Sequence, residues 1–209
     1  MTIERFQCSL DVTWPYGWPI SLDFKPLLTW TDENFVALCR ANPALNFEVT
    51  VDGILLIVPP VGGSAGRREA EAIGQLANWN GETDLGEVYS SQTMFCLPNG
   101  AKRMPDTSWV SRSSRLELLS QTDPDAFLSL APDFVIELRS PSDELKTLQE
   151  KMREYIEAGV RLGWLIDPQN QMVEIYRESD RKVEVLDAPT ELSGEEVLPG
   201  FSFSTARLF

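Results

Sequence analysis

Residues 131–168, with the sequence APDFVIELRSPSDELKTLQEKMREYIEAGVRLGWLIDP, combine an apolar run, an amphipathic stretch and a second apolar run. Short runs rich in Val, Ile and Leu are typical of strands, whereas apolar residues spaced three and four apart are typical of a helix. The stretch therefore predicts a strand, a helix and a second strand, an order typical of sheets flanked by helices.

The first of these predicted strands carries charged residues where apolar ones would pack better. Because successive side chains of a strand point to opposite faces, Phe134, Ile136 and Leu138 share one face. Glu137 and Arg139 are then neighbours on the other face. They indicate either a half-solvated edge strand with an ordinary cross-strand ion pair, or a carboxylate kept for function.

The composition of the 209 residues, 43% hydrophobic and 24% charged, is that of a globular protein with one domain, or one domain with appendages. Residues 1–30 are rich in Trp and Pro, and we interpret them as an extended arm before a domain at 31–209. No apolar run approaches the ~18 residues of a membrane span. The N-terminus also lacks the apolar region of a secretory signal, so we expect a cytoplasmic protein. The aromatic arm favours a homodimer.

The absence of histidine is the most restrictive feature of the composition. It excludes Ser-His-Asp and Cys-His catalysis and histidine metal ligation. The three cysteines are widely spaced and predict neither a zinc site nor a disulfide framework. A net charge of −14 argues against nucleic acid as a partner, although a basic groove can coexist with an acidic remainder.

The remaining pattern predicts a single α+β domain with a mixed sheet, a helix near each end and a C-terminal hairpin. Asp52-Gly53 is a strong signal for a β-hairpin turn between two strands. Ser142 or Asp143 is the expected cap of the helix in 142–159. Further helices are expected near 32–41 and 65–79, and strands at 86–97, 105–111, 133–139, 161–166, 172–177 and 182–187.

A second carboxylate in a predicted strand offers a partner for Glu137. Asp106 follows a proline at the start of the strand 105–111. If the two strands are neighbours, both carboxylates can hold Mg²⁺ or Mn²⁺, since Mg²⁺ prefers carboxylate oxygens and keeps several waters. Asp133 follows a proline too, but it lies four residues from Glu137 on the same strand, roughly 13 Å away at ~3.3 Å per residue. Asp106 is therefore the better partner.

Helical spacing selects one lysine of the central helix. At about 100° per residue, Lys151 falls on the flank of the apolar stripe beside Leu148 and Tyr155. Lys146 points well away from the stripe. Lys151 is thus placed to reach back over the sheet, although a lysine that merely covers apolar surface has the same spacing.

The same spacing places Glu69 on the side of Ile73 and Leu76 of the helix 65–79, whereas Glu71 faces the opposite way. An acid on the core side is costly unless it is paired or bound to metal. Glu71 is expected to be solvated. Basic clusters beside these acids could flank a phosphate path or could be ordinary surface charge; they are Arg67-Arg68, Lys102-Arg103 and Arg112/Arg115.

The chain resembles a known family over about residues 31–209, in the stretches RMPDTSWV (103–110), PDFVIELRSPSD (132–143), LQEKMREYIEAGVRLGWLIDP (148–168), VEIYR (173–177) and LPGF (198–201). They closely resemble the Uma-type restriction endonuclease domain of the PD-(D/E)XK nuclease superfamily. The resemblance implies a restriction-endonuclease-like mixed sheet flanked by helices, with Asp106 and Glu137 as the acids of the motif.

One position departs from the superfamily pattern. The motif lysine should stand two residues after Glu137, where this chain has Arg139. Arginine can stabilise phosphate charge but cannot act as a base. The resemblance implies that a lysine on the following helix, Lys151, replaces it, and that Glu69 corresponds to an acid on the first helix.

These features together predict Mg²⁺-dependent hydrolysis of phosphodiester bonds in DNA. Asp106 and Glu137, with Glu69 directly or through water, would hold the ion. Lys151 would orient or deprotonate the attacking water, the latter only with a lowered pKa, and Arg139 would bind a phosphate oxygen. Two alternatives stay open: a nuclease-fold module that binds or scaffolds without catalysis, and a carboxylate-metal phosphoesterase acting on a small nucleotide.

Overall fold

The computed structural model describes residues 20–25, 27–113, 123 and 126–209. Within these residues no helix is long and apolar enough to span a bilayer. The described part of the chain forms three helices, which are Asp32–Ala41 (α1), Gly63–Thr83 (α2) and Leu145–Glu157 (α3).

The strands of the described residues form two larger sheets and a two-stranded sheet. In chain order they are Ile20–Asp23 (β1), Asn46–Val49 (β2), Ile54–Val58 (β3), Gly86–Ser90 (β4), Phe95–Cys96 (β5), Lys102–Arg103 (β6), Thr107–Ser111 (β7), Phe134–Leu138 (β8), Leu162–Asp167 (β9), Met172–Arg177 (β10), Asp180–Asp187 (β11), Glu191–Ser193 (β12) and Ser202–Ser204 (β13).

The six-stranded sheet has the order β11-β10-β9-β8-β7-β4. Strands β8 and β9 are parallel and α3 joins them, whereas the other neighbours are antiparallel. The predicted strand, helix and strand are thus confirmed, as is a mixed sheet flanked by helices. All five residues of β8 are buried in the middle of this sheet, so the alternative of a half-solvated edge strand is wrong.

Each face of the six-stranded sheet is covered by a helix. Phe134, Ile136 and Leu138 pack with the buried side of α2 and with the C-terminal segment that carries Phe201 and Phe203. Val135 lies on the opposite face, where it packs with the apolar stripe of α3. The alternation predicted for β8 is therefore confirmed, and the face that carries Glu137 is the one covered by α3.

The five-stranded sheet has the order β1-β3-β2-β6-β5, and its core contains Phe35 of α1. The predicted hairpin between β2 and β3 is confirmed, with Gly53 at φ +78° in the turn. Helix α1 begins as predicted after Thr31, whose side chain accepts a hydrogen bond from the Asn34 amide. The side chain of Asn34 in turn accepts from the Thr31 amide, which completes a capping box.

Three details of the predicted pattern are wrong. The single strand expected at 86–97 is two strands, β4 and β5, that lie in different sheets, because a turn after Ser90 breaks the ladder. Helix α2 runs four residues beyond the predicted end at 79. Helix α3 is preceded by Glu144 without a side-chain cap, and the Asp143 carboxylate instead accepts from the Ser140 amide.

Part of the predicted N-terminal arm lies outside the described residues, namely 1–19 and 26. Within the arm, β1 pairs antiparallel with β3 at the edge of the five-stranded sheet. Most of residues 114–125, which include Arg115 and the start of the segment QTDPDAFLSLAPD, also lie outside the described residues.

Gly86 of β4 leaves no room for a side chain. A Cβ there would lie 2.2 Å from the Val110 carbonyl oxygen and 2.5 Å from the Trp109 ring. We expect Gly86→Ala to lower the free energy of unfolding by about 2–3 kcal/mol in urea titrations, because backbone must move. Gly74→Ala is the control, since nothing lies within 4 Å of its Cβ position. It should raise stability by about 0.5–1 kcal/mol through helix propensity; equal effects at both sites would contradict the packing described for β4.

Candidate active site

Asp106, directly before β7, lies opposite Glu137 of β8. Thr107 of β7 pairs with Ile136 of β8, so continuing the antiparallel register by one residue brings Asp106 beside Glu137. The Asp106 carboxylate also accepts a 2.7 Å hydrogen bond from the Leu138 amide. Directly opposed residues of an antiparallel pair have Cβ atoms about 4.5–5.5 Å apart. The two predicted acids therefore converge on one face of the sheet.

Lys151 of α3 contacts Glu137, and its charge acts on Asp106. Its Nζ atom lies 2.8 Å from Oε1 of Glu137, and its side chain is 13% exposed. Tyr155, one turn further along the same helix, donates a 2.9 Å hydrogen bond to the same oxygen. The helix stripe predicted from the spacing thus places Lys151 over the sheet, whereas Lys146 pairs with Glu150 on the exposed side.

The electrostatics of the two acids are unfavourable without a further positive charge. Burial, together with the charge of Glu137, raises the pKa of Asp106 well above its ordinary value. Burial also raises the pKa of Glu137, even though Lys151 opposes the shift. A carboxylate pair with raised pKa values favours either a bound proton or a bound cation.

A second buried network holds Lys151 from the other sheet. Glu48 of β2 accepts a 3.1 Å hydrogen bond from Lys151 through Oε1 and a 2.9 Å bond from Arg103 through Oε2. Arg103 of β6 also binds Glu154 of α3 through two hydrogen bonds, at 2.6 and 3.0 Å. Burial alone raises the pKa of Glu48, but Lys151 and Arg103 outweigh it and the pKa lies below its ordinary value.

The buried charges of the site do not balance. Its four carboxylates belong to Asp106, Glu137, Glu48 and Glu154, and its two cations to Lys151 and Arg103. Two formal negative charges therefore remain uncompensated. Burial is the largest cause of the raised pKa values of Asp106 and Glu137, whereas Lys151 and Arg103 bring the pKa of Glu48 below its ordinary value, so the opposed pair is the less compensated part of the site.

Glu69 lies near this pair without joining it. The Ser91 hydroxyl donates a 3.2 Å hydrogen bond to its carboxylate, and burial raises its pKa. Its charge contributes to the raised pKa of Asp106. Glu71 is not simply solvated as expected, because it accepts hydrogen bonds from Gln75 and Arg207.

The donor set fits a dication held by few protein ligands. In the part of the chain that the structure describes, no group of three or more His, Cys, Asp or Glu side chains is arranged to hold a metal ion. Among the described residues, Glu69 is therefore not placed to ligate an ion directly together with Asp106 and Glu137. Mg²⁺ is commonly bound by one or two carboxylates and several waters. The opposed pair offers carboxylate oxygens of that kind.

Arg139 is engaged away from the acids. Its guanidinium donates a 2.6 Å hydrogen bond to Asp167 at the end of β9 and a 3.2 Å bond to the Asp143 carbonyl. The pKa of Asp167 is lowered, because hydrogen bonds from Asn170 and Arg139 outweigh its burial. A phosphate would have to compete with Asp167 for this arginine.

Most residues of the basic clusters noted in the sequence bind other groups of the protein. Arg67 and Arg68 donate to the carbonyls of Arg207 and Leu208. Arg112 pairs with Asp84. Lys102 and Arg103 are buried rather than at the surface, and Lys102 pairs with Asp32.

Glu48, Arg103, Glu154 and Tyr155 were not predicted as site residues. The sequence contained one signal for Glu48, namely a charged residue in an otherwise apolar strand. Glu48 stands between Phe47 and Val49, as Glu137 stands between Ile136 and Leu138 in β8. Glu154 and Tyr155 lie within one helical turn of Lys151. No sequence spacing shows that the two sheets meet, so the contact of Glu48 with Lys151 could not have been derived.

Comparisons with known proteins agree with this architecture. A family model described as "Uma2: Putative restriction endonuclease" matches residues 32–206. Among solved structures, the chain is similar to "a putative nuclease belonging to DUF820" from Anabaena variabilis, with a TM-score of 0.70 and 20% identity over 86% of this chain and 97% of that one. At that identity the likeness shows the fold alone. No curated protein matches the chain.

Arg103 compensates two buried carboxylates, and its loss should be severe. We expect Arg103→Met to lower the free energy of unfolding by about 3–5 kcal/mol, because Glu48 and Glu154 would be left buried without their counterion. The control is Arg112→Met at an exposed ion pair, whose side chains are 58% and 72% exposed. It should change stability by less than about 1 kcal/mol in the same denaturant titration. A mild effect at Arg103 would contradict the buried network.

Proposed function

The chain belongs to the Uma2 restriction endonuclease family, and from this premise we propose that it is a metal-dependent nuclease of the PD-(D/E)XK type that hydrolyses phosphodiester bonds in DNA. The observation that carries the proposal is the convergence of Asp106 and Glu137 on adjacent strands, with the ammonium of Lys151 beside them. DNA as the substrate rests on the family.

Asp106 and Glu137 would hold Mg²⁺ or Mn²⁺, because they carry the excess negative charge of the site. The ion would activate water and offset negative charge on the phosphate during hydrolysis. Glu69 would act through an intervening water, and its charge adds to the negative charge that affects Asp106. The Leu138 amide fixes the orientation of the Asp106 carboxylate by its hydrogen bond.

Lys151 would act as a charged donor rather than as a base. Burial by itself lowers the pKa of Lys151, but the charges of Glu137 and Glu48 outweigh it and the pKa lies above its ordinary value. A protonated ammonium can orient a water molecule by hydrogen bonding and stabilise negative charge on a phosphate oxygen. This geometry supports the orienting role that was predicted and disfavours proton abstraction by the lysine.

Arg139 fills the motif lysine position without reproducing its chemistry. A role in binding phosphate stays a prediction, and it would require the guanidinium to exchange Asp167 for the substrate. Lys151 therefore carries the positive charge that the motif needs beside the acids.

The alternative is a nuclease-fold module that binds or scaffolds without hydrolysis. Two observations favour it, namely the engagement of Arg139 by Asp167 and a net charge of −14. A scaffold need not bind a metal ion at Asp106, so metal affinity separates the two functions.

Cleavage of supercoiled plasmid in Mg²⁺ or Mn²⁺ tests the proposal. We expect Asp106→Asn and Glu137→Gln each to lower the rate by about 100-fold or more, because the charge that attracts the ion is reduced. Lys151→Met should have a comparable effect, whereas Lys146→Met, at an exposed position of the same helix, should leave the rate unchanged.

The matched control for Asp106 is Asp133→Asn. Asp133 also follows a proline and is buried, but its carboxylate accepts from the Ser111 amide and pairs with Arg161. The variant should lose stability and keep its cleavage rate when measured on folded protein. Cleavage that persists in Asp106→Asn would remove the opposed pair from the mechanism.

Calorimetric titration of Mn²⁺ distinguishes the nuclease from the scaffold. Wild-type protein and Asp133→Asn should bind the ion with equal affinity, because Asp133 lies outside the site. Asp106→Asn should bind it at least about tenfold more weakly, since one of two ligands is lost. Binding that is the same in all three proteins, or absent from wild type, would favour the scaffold.

A further inference from the structure

Glu48 contacts the proposed catalytic lysine from a different sheet. It lies in β2, is 4% exposed, and is separated from Lys151 by 103 positions in the sequence. Its Oε1 atom accepts from Lys151 at 3.1 Å and from the Met104 amide at 2.9 Å. Its Oε2 atom accepts from Arg103 at 2.9 Å. Both oxygens are therefore engaged by donors that fix the carboxylate in one orientation.

We propose that Glu48 is a positioning residue that holds the ammonium of Lys151 in place independently of Glu137, so that Glu137 is free to bind the metal ion. The inference rests on the proposed function, and it assigns to Glu48 no contact with substrate or metal.

A second carboxylate is needed to hold Lys151, because Glu137 already accepts hydrogen bonds and would also have to bind the ion. Its Oε1 atom already accepts from both Lys151 and Tyr155, at 2.8 and 2.9 Å. A dication bound to Glu137 would compete for this carboxylate and would repel the ammonium. With Glu137 as the single anchor, an ion bound to its carboxylate would weaken its hold on Lys151. Glu48 removes the conflict, because its Oε1 atom binds the ammonium from the five-stranded sheet.

Glu48 is itself held by a chain of buried charges. Arg103 binds Glu48 on one side and Glu154 on the other, and Glu154 in turn accepts from the Val51 amide at 2.9 Å. Val51 follows β2, so the chain of contacts closes on the strand from which it started. A carboxylate fixed in this way can hold a lysine without moving towards the ion.

The same carboxylate also fixes the segment that leads to Asp106. The Met104 amide, two residues before Asp106, donates to Glu48. One side chain therefore sets the position of Lys151 and of the approach to β7. Asp133 offers a matched comparison, because it is also a buried carboxylate that accepts from a backbone amide and pairs with an arginine, but lies outside the site.

The test compares Glu48→Gln with Asp133→Asn in two measurements on folded protein. The first is acylation of Lys151 by acetic anhydride without metal, followed by peptide mass spectrometry. The second is Mn²⁺ affinity by calorimetry. We expect Glu48→Gln to acylate Lys151 at least about fivefold faster than wild type and to bind Mn²⁺ about 10- to 100-fold more weakly, the usual cost of losing a supporting residue at a metal site. Asp133→Asn should match wild type within about twofold in both, because Asp133 lies outside the site.

The outcomes separate positioning from structural support. Equal acylation rates in Glu48→Gln and wild type, or the same change in both variants, would overturn the proposal. If wild type binds no Mn²⁺, the proposed function fails, and the acylation rates alone decide whether Glu48 holds Lys151. If Glu48→Gln does not fold, Glu48→Asp replaces it. That variant keeps the charge beside Arg103 but shortens the reach, so it should change acylation in the same direction and overturns the proposal if it does not.

Discussion

Two carboxylates, one half-buried just before β7 and one buried in β8, face each other at the sheet, and the rest of the site follows from the cost of that arrangement. Charges as close as Asp106 and Glu137 repel strongly away from water. Lys151 of α3 places one positive charge beside Glu137, and one positive charge cannot balance two carboxylates. A site with excess negative charge favours the binding of a dication. The same excess charge lowers the stability of the fold whenever no ion is bound.

The contacts between the two larger sheets, which we call the junction, offset part of this loss of stability. Strand β2 contributes Glu48, β6 contributes Arg103, and α3 contributes Glu154, so that the network ties the five-stranded sheet to the helix that covers the six-stranded one. Breaking a buried ion pair of this kind is costly, since an uncompensated charge remains inside. The network therefore confers order at the site at the expense of stability that apolar residues would have provided.

Much of the fold was accessible from the sequence because local patterns were strong. The alternation in β8 and the stripe of α3 determined which faces are buried, and the same periodicity selected Lys151 over Lys146. The spacing of the acids already favoured the pairing of Asp106 with Glu137, the family resemblance agreed with it, and the register places both on one face. The split of 86–97 into two strands escaped prediction because a two-residue strand such as β5 has no periodicity of its own. The engagement of Arg139 by Asp167 escaped because it depends on how the ends of β8 and β9 align.

The contact between Glu48 and Lys151 spans 103 positions of the chain, and this separation bears on how the molecule assembles. Local elements such as the β2–β3 hairpin can form early, because closing a short loop costs little entropy. The charged junction, in contrast, requires both sheets and α3 to be in place before any of its charges is compensated. We therefore expect the junction to close late in folding, with the arginine and glutamates hydrated until the last docking step. The contacts that surround Lys151 would then be completed only as the two larger sheets come together.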